Sequence, residues 1–254
     1  MGEMNLNIAS KRSLFIELYF NGTKLSSGTA FVASFRDRKG LITNRHNVTG
    51  RHQETEQPIS THGGVPNRLV VWHNVDKNGL TWRPIEVPLY DGDEKRWFEH
   101  PQLGPRADIV VLPLTEMPGI KLFPYDLDMA PEMLLRPADA VSVIGFPFGQ
   151  GSAGLLAIWA TGFIASEPDF TYNDLPVMLI DCRTRQGQSG APVVMQRNDV
   201  YRSLSGHLMT PFTRGGKTQF VGIYSGRIRK ESDLGMVWWA SAVRETLEQV
   251  PSLA

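Results

Sequence analysis

The feature that most limits how this chain folds is the spacing of its apolar runs. Two sets of about six short strand-like segments, bounded by turn-forming residues, flank a stretch with no clean period of two. The first set runs Ser13 to Phe20, Gly28 to Ser34, Gly40 to Thr43, Arg68 to His73, Thr81 to Leu89 and Ile109 to Leu114. The second runs Val141 to Gly145, Leu155 to Ala165, Val177 to Asp181, Ala191 to Met195, Thr218 to Ser225 and Gly235 to Trp239. Two groups of this kind point to two barrels in tandem. The expected fold is all-β: two six-stranded antiparallel β-barrels packed together, with a short C-terminal α-helix. The expected boundaries are 1–120 for the N-terminal barrel, 121–138 for a connector and 139–254 for the C-terminal barrel with its helix. That helix is expected from Ser241 to Val250, where Val243, Leu247 and Val250 recur at helical spacing before Pro251 stops it, and it should dock on the second barrel.

Composition excludes several classes of function. With 41% hydrophobic and 20% charged residues, the chain has the make-up of an ordinary soluble globular protein. Lys+Arg and Asp+Glu both number 26, and a balanced charge argues against nucleic acid as a partner. No transmembrane span is visible, so no membrane partner is expected. The N-terminus has an acidic residue at position 3 and no apolar run of signal-peptide type, which predicts a cytoplasmic protein. Acylation at Gly2 is not expected, because the motif wants Ser or Thr where Leu6 stands. In an unsecreted chain the sequons at Asn21 and Asn47 are chance matches. The single cysteine, Cys182, excludes an intrachain disulfide and fits a reducing compartment.

The strongest local signal is Gly187-Gln188-Ser189-Gly190-Ala191-Pro192. Glycines on both sides of a serine let the backbone turn sharply, expose the hydroxyl and aim N–H groups at one spot. A glycine-rich turn with an incidental serine is the plainer reading, and this hexapeptide alone does not choose between them. A serine needs a base within hydrogen-bond reach. Of the 6 histidines, His46 stands out, just past a strand pair (Gly28 to Ser34, Gly40 to Thr43) and facing a cleft. His52, His62, His73, His100 and His207 read as solvated or packed residues. His46 and His52 have no Cys or carboxylate at ligand spacing, so neither metal nor cofactor is expected. The base in turn needs a carboxylate to hold its tautomer. Asp108 immediately precedes the apolar run Ile109 to Leu114, where an acid is partly desolvated and needs a partner; Asp91 and Asp93 are weaker candidates. Taken singly, Asp108 is also an ordinary strand-start aspartate. The order gives the set its meaning: histidine in the first group, aspartate at its end, serine in the second.

These residues resemble the trypsin-like peptidases, and within them the bacterial HtrA (Deg) type. The segment Ser26-Ser27-Gly28-Thr29-Ala30-Phe31-Val32 with Leu41-Ile42-Thr43-Asn44-Arg45-His46 resembles the family's histidine motif. Asp108-Ile109-Val110-Val111-Leu112 is similar to its aspartate motif, and the Ser189 hexapeptide to its serine motif. Val143 to Gly151 leading into Ala160 to Ser166 resembles the hairpin that opens the second barrel, and Leu234 to Leu247 its last strand and helix. The resemblance implies a serine endopeptidase working through a Ser189–His46–Asp108 triad and an acyl-enzyme; the N-terminus and single cysteine make it intracellular, and regulation is expected. It implies an oxyanion hole from the N–H groups of Gly187 and Ser189. Substrate, a protein or peptide, would pair along Phe220 to Gly226, which brings in Tyr224, Ser225 and Gly226, with Ser225 near Asp108. The primary pocket would be framed by Arg183 to Gln186, Ser225 to Arg227 and Gly235 to Val237, with Arg183 and Gly235 among the substrate-binding residues. Arginines at 183, 185, 227 and 229 favour an acidic side chain there, Gly235, Met236 and Val237 an apolar one; apolar or small is the expectation.

The chain also departs from the family. Gln188 replaces the aspartate that precedes the nucleophile in digestive members, and the Ile-Val-Gly-Gly start is missing, so activation by N-terminal cleavage is not expected. No C-terminal PDZ module is expected, and Ala191 replaces the commoner glycine. Arg45 is expected to point to solvent. An activating partner that orders the 183–188 loop fits the missing device. The alternative is a catalytically silent pseudoprotease that binds extended peptides in the same cleft. Oligomeric state is left open.

Overall fold

The computed structural model describes residues 6–53, 55–60, 63–114, 117–198, 200–210, 216–229 and 231–252. Gly2 and His62 lie outside the described residues. In a strand successive side chains face opposite ways, so an unbroken apolar run must be buried on both faces. Strand β1 (Ser13–Phe20) obeys this rule. Leu14, Ile16 and Leu18 enter one core with Ala30, Val32, Leu69, Val71 and Leu112. Phe15 faces the other way, its ring centroid 5.3 Å from that of Phe146 in the second half of the chain.

Strand β1 pairs with β2 (Thr23–Phe35), which pairs with β3 (Arg38–Thr43). On its other side it pairs with β4 (Arg68–Asn74), and β4 with β5 (Trp82–Pro88). After a small hairpin of β6 (Tyr90–Asp91) and β7 (Glu94–Lys95), β8 (Phe98–Glu99) joins β9 (Val110–Pro113), which returns to β3. The short β10 (Tyr125–Asp126) adds to β2 in parallel. This sheet has 8 strands, with the path β5-β4-β1-β2-β3-β9-β8 and β10 beside it. The count exceeds six because β8 and β10, two residues each, are too short to show a period of two in the sequence.

The second half closes. Strands β11 (Ala140–Gly145), β12 (Ile158–Ile164), β13 (Val177–Asp181) and β14 (Pro192–Arg197) follow in the chain. After a hairpin of β15 (Tyr201–Arg202) and β16 (Leu208–Met209) come β17 (Lys217–Arg227) and β18 (Leu234–Trp239). They form a closed barrel in the order β11-β12-β13-β18-β17-β14. Closure leaves this half no free sheet edge except where a strand outruns its partner.

Three short α-helices, α1 (Ile8–Arg12), α2 (Arg45–Thr49) and α3 (Ala240–Leu247), and a 3₁₀ turn (Pro147–Gly149) complete the described residues. No helix is long and apolar enough to cross a membrane among the described residues. Helix α3 differs from expectation in where it docks. Val243 and Leu247 sit in a core cluster shared by both halves, with Phe31 and Ile42 from one and Phe146 and Trp238 from the other. Burying each is worth about 1.5–3 kcal/mol. His100 Nε2 lies 3.1 Å from Glu245 Oε2, and Arg38 Nε donates to the Val250 carbonyl at 2.9 Å. The helix therefore fastens the barrel to the N-terminal sheet rather than capping the barrel alone.

Candidate active site

The N-terminal sheet supplies an acid–base pair held by side chains. Where β3 ends, Asn44 turns the chain into the single turn of α2, and its Nδ2 donates to the Asp108 carbonyl at 2.7 Å. The next residue but one, His46, donates its backbone N–H to Asp108 Oδ1 at 2.9 Å, and its Nδ1 lies 2.6 Å from Asp108 Oδ2. Ser225 Oγ, from β17, donates to the same Oδ2. Asp108 is 1% exposed. Burial opposes its ionisation, but the histidine's charge and the hydrogen bonds from His46 and Ser225 outweigh that, and the carboxyl is held below its ordinary value. A carboxylate here makes Nδ1 the protonated nitrogen and leaves Nε2 as an acceptor.

The barrel supplies a serine held by backbone. Gly187 (φ +94°) and Gly190 (φ +86°) both lie in the left-handed region. A Cβ on Gly187 would collide with the Phe146 carbonyl, and one on Gly190 with the Thr29 carbonyl. Between them, Ser189 is fixed through its own carbonyl, which accepts from Thr29 N at 3.0 Å and from Asn47 Nδ2 at 3.2 Å. Thr29 Oγ1 donates to the Gly187 carbonyl at 2.8 Å and accepts from Phe146 N at 3.2 Å. Gln188 is buried and closes the preceding turn: its Oε1 accepts from Arg185 N at 2.7 Å, and its N–H donates to the Arg185 carbonyl at 3.2 Å. The N–H groups of Gly187 and Ser189 find no acceptor among the described residues. Ser189 and His46 line one cavity of about 200 Å³, but no hydrogen bond joins their side chains. Nucleophile–base contacts are often long before substrate binds.

A second, larger cavity of about 720 Å³ opens on the other side of His46, bordered by Ser225, Gly226, Arg227, Met236 and Trp238. Pairing with β14 stops at Ile223, and the Tyr224 carbonyl and N–H are taken by Gly190 N and the Ala191 carbonyl. Beyond this point Gly226 and Arg227 pair only with Met236 and Gly235 of β18. One edge of the strand is thus open beside the serine, as strand addition by an extended peptide requires.

The residues singled out by the sequence fall into three groups. His46, Asp108 and Ser225 are joined by hydrogen bonds, and Gly187, Ser189 and Gly226 line the two cavities that meet at His46. Tyr224 and Gly235 line neither cavity and pack against each other behind the serine turn. There burial pushes the Tyr224 hydroxyl up to about 12. Arg183 also lines neither, its side chain 80% exposed and 3.8 Å from Asp233. Arg45 does not point to solvent: it pairs with Glu56 at 2.9 Å and Glu99 at 3.5 Å. Sequence reasoning missed Thr29, Asn44 and Asn47. All three lie in or beside the histidine motif, but only the folded chain shows that they grip the aspartate strand and the serine turn.

The pattern of the trypsin-like peptidase domain family matches residues 28–201. No curated protein sequence matches the chain. Among solved structures, the inactive form of the Rv3671c protease of M. tuberculosis is 21% identical with a TM-score of 0.51, covering 95% of this chain and 90% of that one. Its active form is 18% identical with a TM-score of 0.53, covering 97% and 83%. The serine endoprotease from Yersinia pestis is 15% identical with a TM-score of 0.54, covering 97% and 67%. At these identities the likeness is one of fold.

Proposed function

The chain belongs to the trypsin-like peptidase family, and from that premise we propose that it is a serine endopeptidase in which Ser189 is the nucleophile, His46 the general base and Asp108 the residue that orients the histidine. The observation that carries this reading is the buried Asp108 carboxylate, bound to His46 Nδ1 and to the His46 amide and braced by Ser225. That arrangement fixes the tautomer with Nε2 free to take a proton and stabilises the imidazolium that forms.

In the first step Ser189 Oγ attacks the carbonyl carbon of the scissile bond while its proton passes to His46 Nε2. The oxyanion is received by the N–H groups of Gly187 and Ser189, which hold no acceptor among the described residues. The carbon–nitrogen bond then breaks, the histidine's proton goes to the leaving amine, and the acyl group stays on Ser189. Water, losing a proton to His46, attacks the ester, and the serine oxygen recovers that proton as the acid product leaves. Substrate reaches the site as an extended strand on the open edge at Ser225 to Arg227, with a protein or peptide as the substrate class.

We further read the protein as HtrA-like, regulated and resident in a reducing compartment, with the N-terminal sheet as the counterpart of the closed barrel. The sole cysteine, Cys182, is buried and unpaired, which suits such a compartment. Regulation is supported by a protease of similar fold that occurs in inactive and active forms. An activating partner would act by drawing the 183–188 turn toward the histidine. A fluorophosphonate probe tests the central claim. It should label the wild-type chain at Ser189, and Ser189→Ala should abolish labelling and lower peptide hydrolysis by roughly 10³- to 10⁶-fold. A wild-type chain that never labels, with measurable affinity for extended peptides, would instead be the silent peptide binder.

A further inference from the structure

Resting on the endopeptidase reading, we infer that Tyr224 fills the pocket behind Ser189, so that the residue on the acyl side of the scissile bond must be glycine, alanine or serine. A substrate strand on the open edge of β17 has to bring one carbonyl carbon to Ser189 Oγ and its oxygen to the N–H groups of Gly187 and Ser189. The residue carrying that carbonyl then sends its side chain into the gap between the 183–188 turn and the Ser225 to Arg227 strand, with Gly235 of β18 as the floor.

That gap is occupied. Tyr224 is 2% exposed, and its hydroxyl is hydrogen-bonded to the hydroxyl of Thr184, which is 1% exposed. Its ring lies so close to Gly235 that a Cβ there would sit 2.6 Å from Tyr224 Cε2. The glycine at 235 therefore makes room for this chain's own ring and not for a substrate side chain. The backbone N–H and carbonyl of Tyr224 are both bound to the serine turn, and its ring is held in the gap by burial and by the Thr184 hydroxyl. The cavities agree: those flanking His46 are bordered by Ser189 on one side and Ser225 to Arg227 on the other, and neither reaches Thr184, Tyr224 or Gly235. Both cavities offer room beside the serine and stop short of these three residues.

The test uses the full chain and fluorogenic peptides that differ only at the residue before the scissile bond. The wild type should cleave alanine peptides about 100-fold faster, in kcat/KM, than leucine or phenylalanine peptides. Tyr224→Phe keeps the ring and should keep that ranking. Tyr224→Val opens the gap and should raise leucine and phenylalanine peptides at least about tenfold relative to alanine. Comparable wild-type rates for alanine and phenylalanine would overturn the inference, as would a folded Tyr224→Val with the wild-type ranking. If Tyr224→Val does not fold by circular dichroism, the wild-type ranking alone decides. Fluorophosphonate labelling separates the two levels: label without the small-residue preference defeats only the role of Tyr224. No label on the wild type defeats the endopeptidase reading and this inference with it.

Discussion

In the N-terminal sheet the working geometry is made by side chains gripping side chains, whereas in the closed barrel it is made by backbone. Asp108 and His46 of the sheet are buried or nearly so and are held to each other by hydrogen bonds, with Ser225 reaching across from the barrel to brace them. The Ser189 turn takes its shape from two glycines at positive φ, is held at its carbonyls by Thr29 and Asn47, and leaves two N–H groups without acceptors among the described residues. The first half should be intolerant of changes in chemical type and the second of changes in backbone freedom, even when both substitutions are small.

The largest expected effect tests the chemical half. Asp108→Asn is nearly isosteric, but it offers an amide where His46 Nδ1 needs an acceptor. Peptide hydrolysis should fall by roughly 10⁴-fold, with little change in thermal unfolding. A loss below tenfold would mean that the aspartate does not set the tautomer. Gly187→Ala tests the backbone half. It adds one methyl group at φ +94°, against the Phe146 carbonyl. The displaced N–H should cost about 10²- to 10³-fold in kcat, while fluorophosphonate labelling is slowed rather than lost. Unchanged kcat would show that this amide does not face the oxyanion.

The smallest effect is one of stability, and it sharpens the comparison because it is confined to the first half. His73 on β4 is 1% exposed with neither ring nitrogen bonded, and burial, helped by the Arg83 charge, pulls its pKa from 6.5 down to about 4. Between those values the unfolded chain binds a proton that the folded chain refuses, so stability rises with pH across the window and is lost as pH falls from 6.5 to 4. The loss amounts to about 3 kcal/mol. Denaturant unfolding at pH 7 and pH 4.5 should show this slope, and His73→Leu should flatten it. An unchanged slope in the variant would move the acid sensitivity elsewhere.

The same contrast explains what was legible in the sequence. Core strands announce themselves by apolar runs, so β1 and β13 fall where the pattern places them. Two-residue strands carry no period, and the extra strands of the N-terminal sheet were invisible for that reason. The glycine-flanked serine pointed to the site only together with His46 and Asp108, because taken alone it also reads as an ordinary turn. Positions whose meaning is a contact across the chain did not: nothing in Gly28-Thr29-Ala30 says that the threonine holds Gly187, 158 residues away. Gly235 was legible as a small residue, but its sequence neighbours do not reveal that the space it frees is taken by Tyr224.

Thr29 has one more consequence, which concerns time. Its hydroxyl and amide hold the Gly187 and Ser189 carbonyls, and the Tyr224 backbone holds Gly190 and Ala191. A chain emerging from the ribosome folds its first half early, so the template for the serine turn exists before the turn itself. The turn lacks its second clamp until β17, which follows it in the chain, has paired, so both halves must meet before the serine turn is fixed.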